Sequence, residues 1–402
     1  MGKTTLLLQI AGRLLTEGWP GSNLTFFDFG DDRLLDRISP REVVDARPPG
    51  FREDRPRVLL LDEIQESLQW QRWLKGAVDD ARRSDPNYRS IYVATGSSAV
   101  NLRDGAVESG QGRWDEVIIE GLSYLEHLRL AALPNEDPIE VLNRDPSIFE
   151  RYLAVGGFPE HVFASDPADV LDRIRKDIID RAILRDLRRL GIDTEKVRRL
   201  FVYLVRASGQ IWQTDNRAGD LKVNPKSVEA WLDILEGTHL IHRLQDDRIH
   251  GAASDHIRAK SKIYVADHGL VAAMSTAADP LADSFIRSQV FEAVVYRHLR
   301  DFVRSRRGSL SYLRRRGRSR GGDLEIDFVI RSGSKTAAIE VTSSREVDAQ
   351  KIERVREAAD TIQATTRIVI TGAVTPDSRR DVQIVPLHQF LRSPTESFVG
   401  WS

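Results

Sequence analysis

The chain has 402 residues, of which 41% are apolar, and its formal net charge is −1. This length predicts a globular protein of about two to three domains with an ample core. The chain lacks cysteine, which excludes disulfides, thiolate catalysis and zinc–thiolate sites. With so little net charge, any nucleic-acid surface must be local. There is no apolar run of membrane-spanning length and no secretory signal, so a cytoplasmic protein is predicted.

The first residues read as the second half of a phosphate-binding loop. The sequence MGKTT matches the end of the motif G-x-x-x-x-G-K-[ST]. In this motif Gly2 lets backbone N–H groups approach a phosphate, Lys3 reaches the β- and γ-phosphates, and Thr4 ligates Mg²⁺. Thr5 is grouped with these residues that contact the cofactor. Because the first half of the loop and the strand before it are lacking, we expect the natural start to lie upstream of Met1.

A helix is predicted from Thr5 to Gly18, because Leu7, Ile10 and Leu14 recur at helical spacing. A phosphate at the start of this helix would gain from free N–H groups and from the helix dipole. The alternative is an ordinary amphipathic helix that happens to begin with GKTT.

Two acidic residues follow a buried strand further along the chain. The apolar run Val58–Leu61 is typical of a parallel strand buried on both faces, and Asp62 and Glu63 come directly after it. Asp62 would hold Mg²⁺ as a Walker B aspartate, and Glu63 would act as general base on the attacking water. The alternative is a strand end that meets solvent, but the position after the GKTT helix favours the Walker B motif.

A further strand is predicted at Ile91–Thr95, and it ends in small hydroxyl residues. Thr95, Ser97 and Ser98 are candidates for a sensor that hydrogen-bonds the γ-phosphate or the water; a plain turn is the alternative. Arg113 could stabilise transition-state charge from the same chain or from a neighbouring copy, which makes a homo-oligomer a candidate assembly. A solvated arginine is the alternative reading.

The ordered runs GKTTLLLQ, LLLDEIQ, ATGSSA, GRW and LAVGGFPE resemble a family of bacterial and archaeal AAA+-type ATPases. The C-terminal domain of that family is of unknown function and is similar to a restriction-endonuclease fold. The runs KIYVADHGL, FEAVVYRHL, EIDFVI and AIEV extend the resemblance over nearly the whole chain. The resemblance implies an α/β protein with ATP and Mg²⁺ as cofactors. The implied domains are a P-loop parallel sheet core lacking its first strand (1–130), a helical linker or lid (131–195), a winged helix (196–250) and a restriction-endonuclease-like α/β domain (260–395).

The middle of the chain reads as three helices and the start of a wing. The helices are expected at Leu200–Arg206, at Asp215–Leu221 and from the N-cap Asn224, and the wing begins at Leu240–Leu244. In winged helices the third helix enters the major groove. Three acids lie on it here, which favours a structural or protein-binding winged helix over tight DNA contact; they are Glu229, Asp233 and Glu236.

Three C-terminal acids match the acidic positions of the fold that the resemblance implies. Glu292 lies on a predicted helix, and Asp327 and Glu340 lie on two predicted strands. Together they could hold a second divalent metal through oxygen ligands and activate water. The pattern expects a lysine where the chain has Thr342, and Lys351 could substitute only by folding back. Cleavage is therefore expected to be impaired, and the alternative is that the acids cap strands and pair with arginines.

The C-terminal region also contains a basic segment. Ten arginines and a single acid lie between positions 297 and 320. Arg314, Arg315, Arg316 and Arg318 predict a loop that contacts the DNA or RNA backbone, with a solvated loop as the alternative. The sequence thus predicts an ATPase that couples its nucleotide state to a winged helix and a nuclease-like module. The rival prediction is a non-hydrolysing scaffold that binds nucleic acid or protein.

Overall fold

The protein divides into two compact units, Met1–Glu120 and Gly121–Ser402, each with its own hydrophobic clusters. The computed structural model describes residues 2–31, 39–67, 69–83, 90–96, 112–164, 166–176, 193–247, 260–277, 279–315, 324–379 and 381–401. Every helix within these ranges is too short or too polar to cross a bilayer.

The first unit is a parallel sheet with helices. Its described strands have the order β1-β2-β3, and they are β1 (Leu24–Asp28), β2 (Arg57–Asp62) and β3 (Ser90–Ala94). Its helices are α1 (Lys3–Thr16), α2 (Pro40–Asp45) and α3 (Trp70–Arg83). All strands run in the same direction, and Asp28 lies opposite Asp62 in the register. The acids at the strand ends therefore meet at one edge of the sheet, and the predicted parallel α/β core is confirmed.

The central strand β2 is buried at every position, as its continuous apolar run predicts. Leu60 packs in a cluster with Leu7 of α1, while Leu59 and Leu61 pack on the opposite face with Ile64. Fully burying each leucine contributes roughly 1.5–3 kcal/mol. Because both faces are covered, we expect Leu60→Ala to cost about 2–5 kcal/mol and to loosen α1 from the sheet.

The second unit begins with helices. They are α4 (Tyr124–Ala131), α5 (Val141–Arg144), α6 (Ile148–Val155), α7 (Pro167–Ile174), α8 (Thr194–Arg206), α9 (Thr214–Leu221) and α10 (Pro225–Gly237). The side chain of Asn224 accepts a hydrogen bond from the Lys226 N–H at 2.9 Å, and Pro225 is the first residue of α10. The predicted start of this helix is thus confirmed.

Two antiparallel strands follow the helices, β4 (Ile241–Leu244) and β5 (Lys262–Val265). The chain continues into α11 (Gly269–Ala273) and the long helix α12 (Ser284–Ser305). The remaining elements are β6 (Ser309–Arg315), β7 (Leu324–Ser332), β8 (Lys335–Val341), α13 (Ala349–Thr361), β9 (Thr366–Thr371), β10 (Asp377–Arg379), β11 (Val382–Pro386) and α14 (Leu387–Arg392).

Strands β6 to β11 form a mixed sheet with the order β10-β11-β9-β8-β7-β6. Strands β6, β7 and β8 are antiparallel neighbours, whereas β8, β9 and β11 run parallel. One hydrophobic cluster extends from the helices to this sheet and includes Tyr152, Leu204, Tyr264 and Phe328. The segments predicted as linker, winged helix and nuclease-like domain therefore share a continuous core.

Candidate functional site

The start of α1 and the carboxyl end of β2 lie side by side in the first unit. Gly2 has a φ of 71° and precedes the helix, and its carbonyl accepts the first helical hydrogen bond from the Leu6 N–H at 2.9 Å. The Thr4 hydroxyl donates to Oδ2 of Asp62 at 2.5 Å, although the two residues are 58 positions apart. The structure thus brings together the threonine and the aspartate that the sequence assigns to Mg²⁺. Thr5 follows in the first turn and is exposed.

A second hydroxyl holds the other oxygen of the same carboxylate. Thr95, directly after β3, donates to Oδ1 of Asp62 and accepts a hydrogen bond from the Glu63 N–H at 3.3 Å. Asp62 is only 1% exposed, and these two hydroxyls fix its orientation. Of the predicted sensor residues, Thr95 lies at the site, whereas Ser97 and Ser98 fall outside the described residues.

Glu63 occupies a strained position between a cation and an amide. Its φ is 49°, in the left-handed region that non-glycine residues rarely adopt. The Lys3 Nζ lies 3.8 Å from its Oε1, and the Gln65 side-chain amide donates to its Oε2. Such strain often occurs at functional sites and costs of order 1–3 kcal/mol. Gln65 was not predicted from the sequence, where its only signal is its position two residues after Glu63.

These groups have the chemistry that a magnesium–triphosphate complex requires. Mg²⁺ prefers oxygen ligands, and Thr4 and Asp62 present a hydroxyl and a carboxylate at one point. The helix start at Gly2 offers backbone N–H groups to phosphate oxygens. Lys3, the next residue in the sequence, supplies an ammonium group. The donor set therefore fits Mg·ATP.

Arg113 is bound by a helix of the same unit. Its Nε donates to Oδ1 of Asp79 on α3 at 3.0 Å, and a terminal nitrogen donates to Oδ2 at 3.2 Å. This bidentate pair is a strong and geometrically specific ion pair. In the described part of the chain, the Arg113 side chain contacts Asp79 on α3 and does not contact Lys3 or Asp62.

The second unit contains the predicted acidic cluster. Glu292 lies on α12, Asp327 on β7 and Glu340 on β8, as expected. A lysine that the sequence analysis missed lies among them: Lys262, the first residue of β5, whose side chain is 3% exposed. Its ammonium lies 3.0 Å from Glu325, 3.2 Å from Asp327 and 3.5 Å from Glu292. The sequence signal that could have revealed this lysine is its position directly before the apolar strand residues IYV. A lysine at the start of a buried strand needs acidic partners, because a buried cation is stable only when it is paired.

Lys351 folds back from α13, which the sequence alone could not show. Its Nζ lies 3.2 Å from Oε1 of Glu340, while the Val341 N–H donates to Oδ2 of Asp327 at 2.9 Å. Burial and the neighbouring Asp327 carboxylate raise the pKa of Glu340 to about 8, against the opposing effect of Lys351. The same two causes raise the pKa of Glu292 to about 7.

The acids predicted to form a second metal site have an ammonium group of the chain among them. Glu292, Asp327 and Glu340 do come together, but the ammonium of Lys262 lies between Asp327 and Glu292, where the metal was expected. Throughout the described ranges, no group of three or more His, Asp or Glu side chains is arranged to hold a metal ion. Burial alone would lower the pKa of Lys262, yet the surrounding carboxylates outweigh it and raise that pKa.

The predicted basic loop begins at the end of β6. Arg314 and Arg315 are its last two residues, and both are exposed; Arg316 and Arg318 lie outside the described residues.

The three acids on α10 that argue against tight DNA contact all pair with Arg243 on β4. Its guanidinium lies 2.6 Å from Glu236 and 3.5 Å from Glu229, and it also donates to Asp233.

Three protein-family models match successive segments of the chain. Residues 1–128 match the family model described as AAA domain. Residues 147–281 match the domain of unknown function DUF8612, and residues 287–390 match the domain of unknown function DUF4143. Among curated proteins, none matches the chain.

Solved structures give distant similarities. A lysine-to-arginine mutant of RuvB from Thermotoga maritima is 15% identical, with a TM-score of 0.28, over 60% of this chain and 78% of that one. Can2 from Sulfobacillus thermosulfidooxidans, in complex with cyclic tetra-adenylate, is 12% identical, with a TM-score of 0.22, over 94% of this chain and 99% of that one. TM-scores this low add nothing to the assignment of function. The AAA domain match covers Lys3, Thr4, Asp62 and Glu63, so all four residues lie in the part of the first unit that matches an AAA domain.

Proposed function

We propose that the first unit binds Mg·ATP and hydrolyses it. The observation that carries this proposal is the 2.5 Å hydrogen bond between Thr4 and Asp62, which joins the start of α1 to the end of β2. When bound, Mg²⁺ would neutralise negative charge that develops on the transferred phosphoryl group. Thr4 and Asp62 would hold the metal, Lys3 and the Gly2–Thr5 backbone would hold the phosphates, and Thr95 would keep Asp62 oriented.

Glu63 is proposed as the general base. Its carboxylate lies one residue after Asp62, and the contact with Lys3 at 3.8 Å places it close to the phosphate-binding side chain. A base must lie within hydrogen-bond reach of the water whose proton it takes. We propose that phosphate draws Lys3 away from Glu63, which frees the carboxylate to act on that water.

The test is ATP turnover and Mg·ATP binding by the chain and by Glu63→Gln. We expect the variant to bind Mg·ATP within about threefold of wild type and to lose roughly 10²–10⁴-fold in turnover. Glu17→Gln is the matched control, because Glu17 is exposed at the end of α1 and pairs only with Arg13 in the described contacts. Unchanged turnover in Glu63→Gln would remove it as the base, and no binding of Mg·ATP by wild type would refute the proposal.

For the second unit we propose nucleic-acid contact that responds to the nucleotide state of the first. Arg314 and Arg315 lie exposed at the end of β6 and begin the basic segment, which supports backbone contact. The arrangement of α8, α9, α10, β4 and β5 agrees with a winged helix, and α12 with β6 to β9 agrees with a nuclease-like module. The expected result is a DNA or RNA affinity that differs between ATP and ADP; equal affinities would contradict the coupling.

Arg113 is proposed to stabilise transition-state charge at the ATP site of a neighbouring copy after its ion pair with Asp79 opens.

The rival function is a scaffold in which the nuclease-like module does not cleave. The ammonium of Lys262 within the acidic cluster supports this view of the C-terminal module, as does Thr342 in the position of the expected lysine. ATP turnover separates the two functions, because a scaffold binds nucleic acid without hydrolysing ATP.

A further inference from the structure

Gln65 holds one oxygen of the proposed base in the first unit. Its side-chain amide donates a hydrogen bond to Oε2 of Glu63, while the Lys3 ammonium lies 3.8 Å from Oε1 of the same carboxylate. The carbonyl end of the Gln65 side chain, Oε1, is buried and accepts no hydrogen bond from the described residues. The two ends of this amide therefore have different surroundings, and only the donor end is paired.

The unpaired carbonyl indicates why a glutamine occupies this position. A buried polar atom without a partner costs free energy, so packing alone would favour an apolar side chain of similar size, such as methionine. In the described part of the chain, the contact of the amide with Glu63 is what offsets this cost. Because an ionised carboxylate accepts hydrogen bonds and cannot donate them, the N–H end of the amide faces it and the carbonyl end faces away.

The backbone after β3 fixes the direction of the amide. A Cβ at Gly96 would lie 2.6 Å from Oε1 of Gln65, so a side chain there would push the amide out of place. Two backbone hydrogen bonds hold this segment against the end of β2. The Thr95 N–H donates to the Leu61 carbonyl at 2.8 Å, and the Ile64 N–H donates to the Thr95 carbonyl at 3.0 Å. The residues that follow β3 therefore set the position of Gln65.

The rest of the Glu63 side chain is confined as well. Its φ of 49° fixes the direction in which the side chain leaves the backbone, and its Cβ and Cγ lie 3.3 and 3.4 Å from the point that a Cβ of Gly30 would occupy. The side chain is nevertheless 32% exposed, so water can reach the carboxylate. With Oε2 held by Gln65, the oxygen that faces Lys3 is Oε1.

We propose that Gln65 is the positioning residue of the general base: it holds Oε2 of Glu63, so that Oε1 is the oxygen that takes the proton of the attacking water. This inference rests on the proposed function, in which phosphate draws Lys3 away from Oε1. The bond that forms joins the water oxygen to the γ-phosphorus, the bond that breaks joins that phosphorus to the leaving ADP oxygen, and the proton goes to Oε1. Gln65 acts in this step through Glu63 and makes no contact with water or nucleotide.

The kinetics of Gln65→Met test this assignment. Methionine keeps the length of the side chain and removes the donor, and a misplacement of about 1 Å in a reacting group can cost roughly 10²-fold in rate. We expect kcat to fall about 10–100-fold, while the affinity for Mg·ATP, measured by isothermal titration, stays within about threefold of wild type. Gln9→Met, on the exposed surface of α1, is the matched control and should leave both unchanged. In the Glu63→Gln background, Gln65→Met should cause no further loss, because the base is already absent.

Gly96→Ala moves the amide without changing Gln65 itself. The φ of Gly96 is not in the left-handed region, so alanine is compatible with the backbone there, and the atom that it meets is the end of a flexible side chain. We expect a fall in kcat of the same order as in Gln65→Met, about 10–100-fold, again with unchanged affinity. In a Gln65→Ala background, where the amide is gone, Gly96→Ala should have no further effect. Gly76→Ala in α3 is the matched control, because a Cβ there meets no atom within 4 Å.

A measurement on the nucleotide-free chain reports the contact itself. The carboxylate of Glu63 is coupled to glycine ethyl ester with a water-soluble carbodiimide, and the coupled peptide is quantified by mass spectrometry. Carbodiimides react with the protonated acid, whereas a hydrogen-bond donor favours the ionised form. Glu63 should therefore be coupled roughly tenfold faster in Gln65→Met than in wild type. Exposed Glu17 in the same samples is the internal control, and its rate should be equal in both proteins.

Equal coupling rates of Glu63 in wild type and in Gln65→Met would overturn the assignment, as would a Gln65→Met variant with wild-type kcat. Losses that multiply when Gln65→Ala and Gly96→Ala are combined would overturn it too, since the glycine would then act independently of the amide. Thermal melting shows that each variant is folded; if Gln65→Met does not fold, Gly96→Ala, which retains Gln65, decides by the same kinetic criterion. A failure of the proposed function is distinct, because it would appear as absent turnover in wild type or as turnover that Glu63→Gln leaves unchanged.

Discussion

The carboxylate of Asp267 binds the backbone N–H of Gly157, which lies 110 positions earlier in the chain, at 2.9 Å. Its other oxygen accepts the Gly269 N–H at 2.8 Å, and the aspartate is 2% exposed. The runs LAVGGFPE and KIYVADHGL thus meet in the core of the second unit. Asp267 serves packing there, because both oxygens of its carboxylate accept hydrogen bonds from backbone N–H groups.

Asp267→Ala should destabilise the protein. The substitution leaves the N–H groups of Gly157 and Gly269 buried without an acceptor, and each orphaned group costs roughly 1–3 kcal/mol. Urea unfolding measures the change. Glu357→Ala on the exposed face of α13 is the control, and it should change the free energy of unfolding by about 0.5 kcal/mol or less. Equal effects of the two substitutions would contradict this account.

A substitution at Gly156 tests the same contact between Asp267 and the GG pair of LAVGGFPE. Its φ is +79°, and a Cβ there would lie 2.0 Å from Oδ1 of Asp267 and 2.9 Å from the Gly269 backbone. Gly156→Ala should therefore cost at least about 1–3 kcal/mol for the backbone conformation alone. Gly219 in α9 is the matched control, because a Cβ there meets no atom within 4 Å. Gly219→Ala should be neutral or stabilise by up to about 1 kcal/mol, and a melting curve of each variant distinguishes the two.

The sequence predicted the features of this fold that depend on local patterns. The apolar run Val58–Leu61 predicted β2, because a parallel strand buried on both faces is apolar at every position. Asn224 and Pro225 were sufficient for the start of α10, because capping is decided within a few residues. In the same way, Asp62 and Glu63 were predicted as a pair from the strand that precedes them.

The remaining features depend on which elements meet in space. Lys262 is separated from Asp327 by 65 positions, and no local pattern relates the two. The pairing of Arg113 with Asp79 likewise follows from the packing of α3. The three acids of the predicted metal cluster do come together, but the sequence did not predict the lysine beside them, because Lys262 comes from a separate sheet.

The two hydroxyls that hold Asp62 should have separable effects on catalysis. Thr4→Val removes a proposed metal ligand, and a hydrogen bond to a charged group is worth about 1.5–3 kcal/mol, so Mg·ATP affinity should fall about 10–100-fold. Thr95→Val removes the group that orients Asp62, so turnover should fall while the affinity stays within about threefold. Isothermal titration and steady-state turnover measure both, with Thr16→Val at the end of α1 as control. A reversed pattern would exchange the roles proposed for Thr4 and Thr95.

The stability of the second unit should decrease as the pH rises from about 5 to about 8. Glu292 and Glu340 have ordinary pKa values of 4.5, and in the folded protein these are raised to about 7 and about 8. The folded state therefore binds more protons than the unfolded state across this range, and deprotonation favours unfolding. Urea unfolding at several pH values measures the slope. Glu340→Gln should flatten it most, because its side chain is less exposed than that of Glu292, at 12% against 21%.

The salt dependence of nucleic-acid binding tests the basic segment. Each phosphate that an arginine neutralises releases counterions and contributes about −0.9 to the slope of log affinity against log salt concentration. If Arg314 and Arg315 each contact one phosphate, the Arg314→Ala/Arg315→Ala variant should have a slope shallower by about 2 on duplex DNA. The control replaces Arg345 and Arg354, which are also exposed on the second unit and leave β6 intact. The control removes the same formal charge, so a loss of slope confined to the β6 variant would locate the phosphate contacts at the end of this strand. An equal loss in both variants would instead indicate a diffuse effect of net charge, and no loss in either would exclude this segment from the interface.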